Sequence, residues 1–276
     1  EMPFFYPRET MKIQEGRVSI KEGIVIGDGG GKSLQADIFL PPVDLEDRPS
    51  ILFIHGGGWL EGDRNQLRGY GILLARLGFV CMCSSYRLST EAIWPAQIQD
   101  VNCAIRYLRS NSQELGIDRN RIGISGNSAG AHLSLMAGAK GYPEDFEGEG
   151  GNNQVSSEVE AVCAIYPPTR IRQLDIDPIQ NAFLMLMGNK AKKEEYELAS
   201  PINYVNKDYP PCMLVHGSSD SVVNLKESTN FYEKLVEFKR PSSLHIFSEE
   251  EHAFDSQPDY GRAIADLQAI FFKKYL

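Results

Sequence analysis

Arg121-Ile-Gly-Ile-Ser-Gly126-Asn127-Ser128-Ala129-Gly130, running on into the apolar stretch Ala131 to Ala139, decides how the rest of the chain is read. The residues before Gly126 have the make-up of a buried strand and those after Gly130 that of a helix. A glycine-flanked serine therefore sits where a strand turns sharply into a helix. Glycine lacks a Cβ, so such a turn can be tight enough to hold the Ser128 hydroxyl clear of both flanking elements. G-x-S-x-G is short and recurs by chance, and its weight depends on partners elsewhere in the chain.

One partner lies upstream. Ser50-Ile-Leu-Phe-Ile54 reads as a buried strand that runs into His55-Gly56-Gly57-Gly58-Trp59. Attack on an acyl carbonyl builds negative charge on its oxygen, and each preorganised N–H aimed there contributes roughly 3 to 4 kcal/mol. The N–H groups of Gly57, Gly58 and Ala129 are the candidate donors. Trp59 is a candidate for lining the substrate pocket, a place where a large aromatic also serves as simple packing.

The five histidines can be weighed one by one as the base that takes the Ser128 proton. His55 shapes the glycine turn. His132, one helical turn beyond Ser128, packs rather than reaches the hydroxyl. His216 ends the strand Cys212 to His216, and His245 lies inside the alternating strand Ser243 to Phe247. His252 remains, in the polar loop Ser248-Glu-Glu-Glu-His-Ala-Phe254 ahead of a final helix. The acid belongs after the strand ending at His216, where Gly217-Ser-Ser-Asp220 supplies it; Asp208 falls before that strand and Asp255 after the histidine. A carboxylate at Asp220 would orient the imidazole and stabilise its protonated form.

Together, His55-Gly-Gly-Gly-Trp59, Gly126-Asn-Ser-Ala-Gly130, Gly217-Ser-Ser-Asp220 and Glu251-His-Ala-Phe254 resemble the α/β-hydrolase superfamily. The match is to its esterase branch with an HGGG oxyanion loop, the hormone-sensitive-lipase-like and acetyl-esterase-like enzymes. Tyr86-Arg-Leu-Ser89, Pro95-Ala-Gln-Ile-Gln-Asp100 and Gly116-Ile-Asp118 extend the resemblance, which runs from about residue 17 to the C-terminus. It implies carboxylic-ester hydrolysis through an acyl-enzyme with no metal and no organic cofactor. Carried over by position, Ser128 is the nucleophile, His252 the base, Asp220 the orienting acid, and Gly57, Gly58 and Ala129 the oxyanion hole.

Three departures qualify it. Fifty-four residues precede His55, and residues 17–40 read as two strands. That leaves little for the long N-terminal cap of hormone-sensitive-lipase-like members and favours small-capped esterases, including those for acetylated or feruloylated plant carbohydrates. Asn127 stands where close relatives often have aspartate. Glu249, Glu250 and Glu251 replace small residues before the histidine; carboxylates near an imidazole favour its protonated form, which would move the acidic limb of the rate profile upward unless they merely face water.

The other expectations concern organisation. Strands are expected near 17–26, 34–40, 50–55, 79–84, 121–125, 159–166, 211–216 and 243–248, and helices near 65–77, 96–114, 128–139, 224–238 and 259–274. Their alternation implies an α/β fold, a mostly parallel eight-stranded sheet flanked by helices, with catalytic loops at the strands' carboxyl ends. Residues 1–276 read as a single domain. Residues 170–200 have no place in the minimal sheet; their apolar run Ala182 to Met187 forms either a small cap over the acyl pocket or a helix packed on the core. Arg87 and Asp100 are expected to pair around the loop holding Trp94, and Glu144 to Gly151 to form a mobile surface loop. Gly27-Asp-Gly-Gly-Gly-Lys32-Ser33 mimics a phosphate loop, but Ile26 occupies the required glycine position and a strand follows, so it reads as a hairpin turn.

Composition excludes other classes. A net charge of −9 without a basic block argues against nucleic-acid binding, and no apolar run has membrane-span length. Five cysteines in apolar contexts read as buried thiols, which lean towards a cytoplasmic protein; a secreted protein with its leader removed stays open. The expected partner is a small-molecule or carbohydrate ester, with oligomeric state left open. Two other functions remain: an amide-cleaving hydrolase of arylformamidase type, and a non-catalytic binding protein on the same fold.

Overall fold

The computed structural model describes residues 12–172 and 180–276. Its sheet comprises β1 (Ser19–Asp28), β2 (Ser33–Leu40), β3 (Arg48–Ile54), β4 (Val80–Ser84), β5 (Ile117–Asn127), β6 (Ala161–Ile165), β7 (Cys212–Gly217) and β8 (Ser242–Phe247). They lie in the order β1-β2-β4-β3-β5-β6-β7-β8. β2 is antiparallel to β1 and β4, and every other pairing is parallel. The glycine run after Gly27 turns β1 into β2, with the Gly29 N–H donating to the Lys32 carbonyl at 2.7 Å.

All residues of β4, β6 and β7 are buried, which is why these strands read as unbroken apolar runs: helices cover both faces. Along β3 the side chains alternate between two cores. Leu52 and Ile54 join the apolar side chains of α2 (Ala96–Ser110), α4 (Ala129–Ala137) and α7 (Lys226–Glu237). Ile51 and Phe53 join those of α1 (Arg68–Ala75) and α8 (Pro258–Tyr275) on the other face. Fully burying each such side chain contributes about 1.5–3 kcal/mol. The five cysteines are free and buried. Among the described residues no helix is long and apolar enough to cross a membrane.

The structure departs from expectation at two places. The helix expected over 96–114 stops at Ser110, and the short α3 (Ser112–Leu115) ends on Gly116 in the left-handed region, φ 62°. The acidic stretch Glu144 to Gly151 is tied down rather than loose. Buried Arg106 donates to the carbonyls of Glu147, Gly148 and Gly151, and Gly150 accepts from the Asp28 N–H at 2.7 Å. The expected cap insertion is present, and its described residues include two helices, α5 (Gln180–Met187) and α6 (Lys193–Leu198). Phe183, Leu186 and Met187 of α5 pack on the core while Leu184 and Met185 face outward; residues 173–179 lie outside the described residues.

Arg87 and Asp100 pair as expected. Arg87 donates from Nη2 at 2.7 Å and from Nε at 2.9 Å to the two Asp100 oxygens, and its own N–H reaches the same carboxylate at 2.8 Å. The loop between them also meets the cap, where the Trp94 N–H donates to the Leu186 carbonyl at 2.8 Å.

Candidate active site

Ser128 sits between the last residue of β5 and the first of α4 with φ 52° and ψ −119°, a conformation that costs a non-glycine residue about 1–3 kcal/mol. Two main-chain bonds hold it: its N–H donates to the Ile165 carbonyl at 2.9 Å and its carbonyl accepts from the His132 N–H at 3.0 Å. The turn needs glycine at 130, where an added Cβ would fall 2.0 Å from the Ile54 carbonyl oxygen. That close approach lets α4 begin directly against the end of β3.

The histidine and aspartate singled out from the sequence converge on this serine. His252 Nε2 lies 2.9 Å from Ser128 Oγ, and its Nδ1 lies 2.7 Å from Asp220 Oδ2. A carboxylate accepts only, so the ring proton resides on Nδ1 and leaves Nε2 to accept from the serine hydroxyl. Asp220 is itself fixed, its Oδ1 accepting from the N–H groups of Val222 at 2.9 Å and Val223 at 2.7 Å. Burial alone would raise this carboxyl. Hydrogen bonds from His216, His252 and the Val223 N–H, with the charge attraction of His252, outweigh it and hold the group below the usual carboxylate range.

His216 is the strand-end residue its position in β7 suggests, yet it does more than close a strand. Its Nε2 lies 2.9 Å from the Val223 carbonyl and 3.3 Å from Asp220 Oδ2, while Nδ1 accepts from Ser228 at 2.7 Å. Nothing in the sequence near His216 signals that it braces the acid.

The glycine turn after β3 is braced from behind by His55, whose ring stacks on Tyr86 at 4.3 Å and whose Nδ1 lies 2.8 Å from the Gly56 carbonyl. Gly57 has φ 104°, and a Cβ there would fall 2.2 Å from the Glu61 carbonyl oxygen. Its own carbonyl accepts from the N–H groups of Leu60 and Glu61 at 3.0 and 3.1 Å. Among the described residues the N–H groups of Gly57 and Gly58 donate to no protein acceptor. The Ala129 N–H belongs to the first turn of α4, where a helix leaves its donors unpaired. The inserted cap approaches this loop directly, with Ala182 Cβ 3.6 Å from where a Gly58 Cβ would be.

Trp59 does not line the pocket, contrary to expectation. It is fully buried, with its ring edge-on to His132 at 5.1 Å and 5.9 Å from Phe183. With φ 60° at Trp59, the chain turns beneath the glycine loop and carries the indole into the core. His132 packs as expected; its Nε2 donates to the Ala199 carbonyl at 2.8 Å, and burial pushes its pKa down to about 4. His245 lies half-buried in β8. Glu250 accepts from Tyr260 and Gln257, and Glu251 from the N–H and hydroxyl of Ser221, so neither carboxylate is bonded to the imidazole. Two further side chains reach the site: Tyr166, which no sequence signal marks and whose ring centroid lies 4.5 Å from that of His252, and Asp255, weighed above as an acid, which Tyr166 contacts.

A mostly parallel eight-stranded sheet flanked by helices, with a serine raised on the turn between β5 and α4, is the architecture of the α/β-hydrolase superfamily. Within it the chain belongs to the BD-FAE family, whose model matches residues 36–235. It is 34% identical over 198 residues to Esterase LipC of Mycobacterium tuberculosis, covering 68% of this chain and 48% of LipC. To the probable carboxylic ester hydrolase LipM of the same organism it is 30% identical, over 89% of this chain and 58% of LipM. The chain thus spans about half the length of these curated relatives. A truncated carbohydrate esterase from gut microbiota superposes with a TM-score of 0.80 at 30% identity, covering 94% of this chain and 98% of that one.

Proposed function

We propose that this chain is a serine carboxylesterase that hydrolyses short-chain acyl esters, with acetylated or feruloylated carbohydrates as its alcohol-bearing substrates. The observation that carries the reading is the unbroken line from Ser128 Oγ through the His252 imidazole to Asp220, with bonds of 2.9 and 2.7 Å. Beside it the N–H groups of Gly57, Gly58 and Ala129 belong to the two loops that would flank a bound carbonyl. The carbohydrate class is supported by the likeness to the gut-microbiota carbohydrate esterase, which spans nearly the whole of both chains.

In this mechanism His252 Nε2 removes the Ser128 proton as Oγ bonds to the carbonyl carbon. The carbonyl electron pair moves onto its oxygen, where the three N–H groups stabilise it by roughly 3 to 4 kcal/mol each. The protonated imidazole, held by Asp220, then gives its proton to the leaving alkoxide, and the alcohol departs. A water activated by the same nitrogen repeats the sequence, releasing the carboxylic acid and restoring Ser128.

The test is p-nitrophenol release from p-nitrophenyl acetate by the wild type and by Ser128→Ala, followed by acetate release from acetylated xylan. Loss of several orders of magnitude in the variant is the expected result. Equal rates for both proteins sink the reading, and faster turnover of a formyl anilide than of the acetyl ester moves it to amide hydrolysis.

A further inference from the structure

We propose that Tyr166 is a positioning residue, which holds the His252 imidazole in line with Ser128 by bridging the residue beside the serine to the loop that carries the histidine. The proposal rests on the hydrolytic reading of this site. Tyr166 directly follows β6 and is 1% exposed. Its hydroxyl accepts from Asn127 Nδ2 at 3.1 Å and donates to Asp255 Oδ1. Asn127 is bonded through the backbone to Ser128, and Asp255 lies three residues after His252 in the same turn. One hydroxyl therefore ties together the two loops whose separation sets the Ser128–His252 bond. Asp255 is anchored in turn by Tyr70 of α1, whose hydroxyl donates to its other oxygen at 3.0 Å.

The ring contributes separately. Its centroid lies 4.5 Å from that of the imidazole, with the planes inclined at 57°. A histidine held by Asp220 through Nδ1 alone can still swing about that bond and carry Nε2 away from the serine. The tyrosine ring occupies the space such a swing would need. Its backbone supports the same conclusion, because Tyr166 has φ 42°, a left-handed conformation costing a bulky residue about 1–3 kcal/mol. Its main chain is nevertheless held by a 2.7 Å bond from its N–H to the Val215 carbonyl. Strain retained at a buried aromatic beside the reacting groups points to a positional task.

The experiment compares Tyr166→Phe, which keeps the ring and removes the bridge, with Tyr166→Leu, which removes both. Each is assayed for kcat and KM on p-nitrophenyl acetate and for its rate of inactivation by diisopropyl fluorophosphate. Because displacing a reacting group by about 1 Å costs on the order of 100-fold, kcat should fall about tenfold in Tyr166→Phe and about 100-fold in Tyr166→Leu. KM should stay within about twofold and inactivation should slow in parallel with kcat. A raised KM with unchanged kcat overturns the proposal, since it places Tyr166 against substrate instead. If Tyr166→Leu fails to fold, Tyr166→Phe decides alone, and a kcat within about twofold of wild type overturns the proposal. Ser128→Ala run alongside separates the two claims: if it abolishes turnover while both tyrosine variants keep it, only the positioning role fails.

Discussion

Replacing Asp220 by asparagine removes one charge and almost no volume, and the surrounding bonds dictate how the new amide must sit. All the groups facing this carboxylate are donors: the N–H groups of Val222 and Val223 on Oδ1, and His252 Nδ1 and His216 Nε2 on Oδ2. An asparagine NH2 turned towards the Oδ1 position would oppose two backbone N–H groups that cannot change their role. The amide must therefore place its NH2 towards the histidines. His252 then accepts at Nδ1 and carries its proton on Nε2, so it donates to Ser128 instead of accepting from it. Loss of the correct tautomer costs roughly 10⁴ in rate, or about 5.5 kcal/mol of transition-state stabilisation. The assay is kcat/KM for p-nitrophenyl acetate near pH 7.5, with near-UV circular dichroism to show that packing is intact. A folded Asp220→Asn protein retaining more than about a tenth of wild-type kcat/KM would refute the assignment of the acid.

Other outcomes can be checked with simpler means. Asp100→Ala leaves the Arg87 guanidinium, 15% exposed, without its partner; a loss of about 3 kcal/mol is expected in urea unfolding, and a loss under about 1 kcal/mol would show that water replaces the carboxylate. His132 is pushed down to about 4 by burial, so it binds its proton in the unfolded chain before the folded one. Its contribution is complete above pH about 6.5 and is withdrawn as pH falls towards 4, amounting to about 3 kcal/mol in all. Comparing unfolding midpoints of the wild type and His132→Gln between pH 7 and pH 4.5 should show a shallower pH slope in the variant, and parallel slopes would contradict the burial argument.

What the sequence reveals and what it hides differ for physical reasons. The central strands are legible because burial on both faces forces unbroken apolar runs, as in β6 and β7. Ser128, Asp220 and His252 are legible because each occupies a turn with its own local chemistry. Tyr166 carries no such mark: its partners Asn127, Asp255 and Tyr70 lie on separate elements, and only the folded sheet brings them together. Trp59 misleads because its neighbours in sequence face the site while its own left-handed φ sends the ring inward. The stretch Glu144 to Gly151 reads as loose because its restraint comes from Arg106, some forty residues earlier, through carbonyls that have no sequence signature.

The sheet order hangs Ser128 and His252, which meet side by side, on strands that are held very differently. Ser128 rises from β5, which has strands paired on both sides, whereas His252 follows β8, which pairs only with β7 and is nowhere fully buried. An edge strand opens at lower free-energy cost than an interior one. His252 is thus attached to an edge of the sheet, and Ser128 to a strand braced on both sides. A loosening of β8 would carry His252 away from Ser128 while the elbow on β5 is still intact, so the bond between the two side chains senses the margin of the sheet and not its centre.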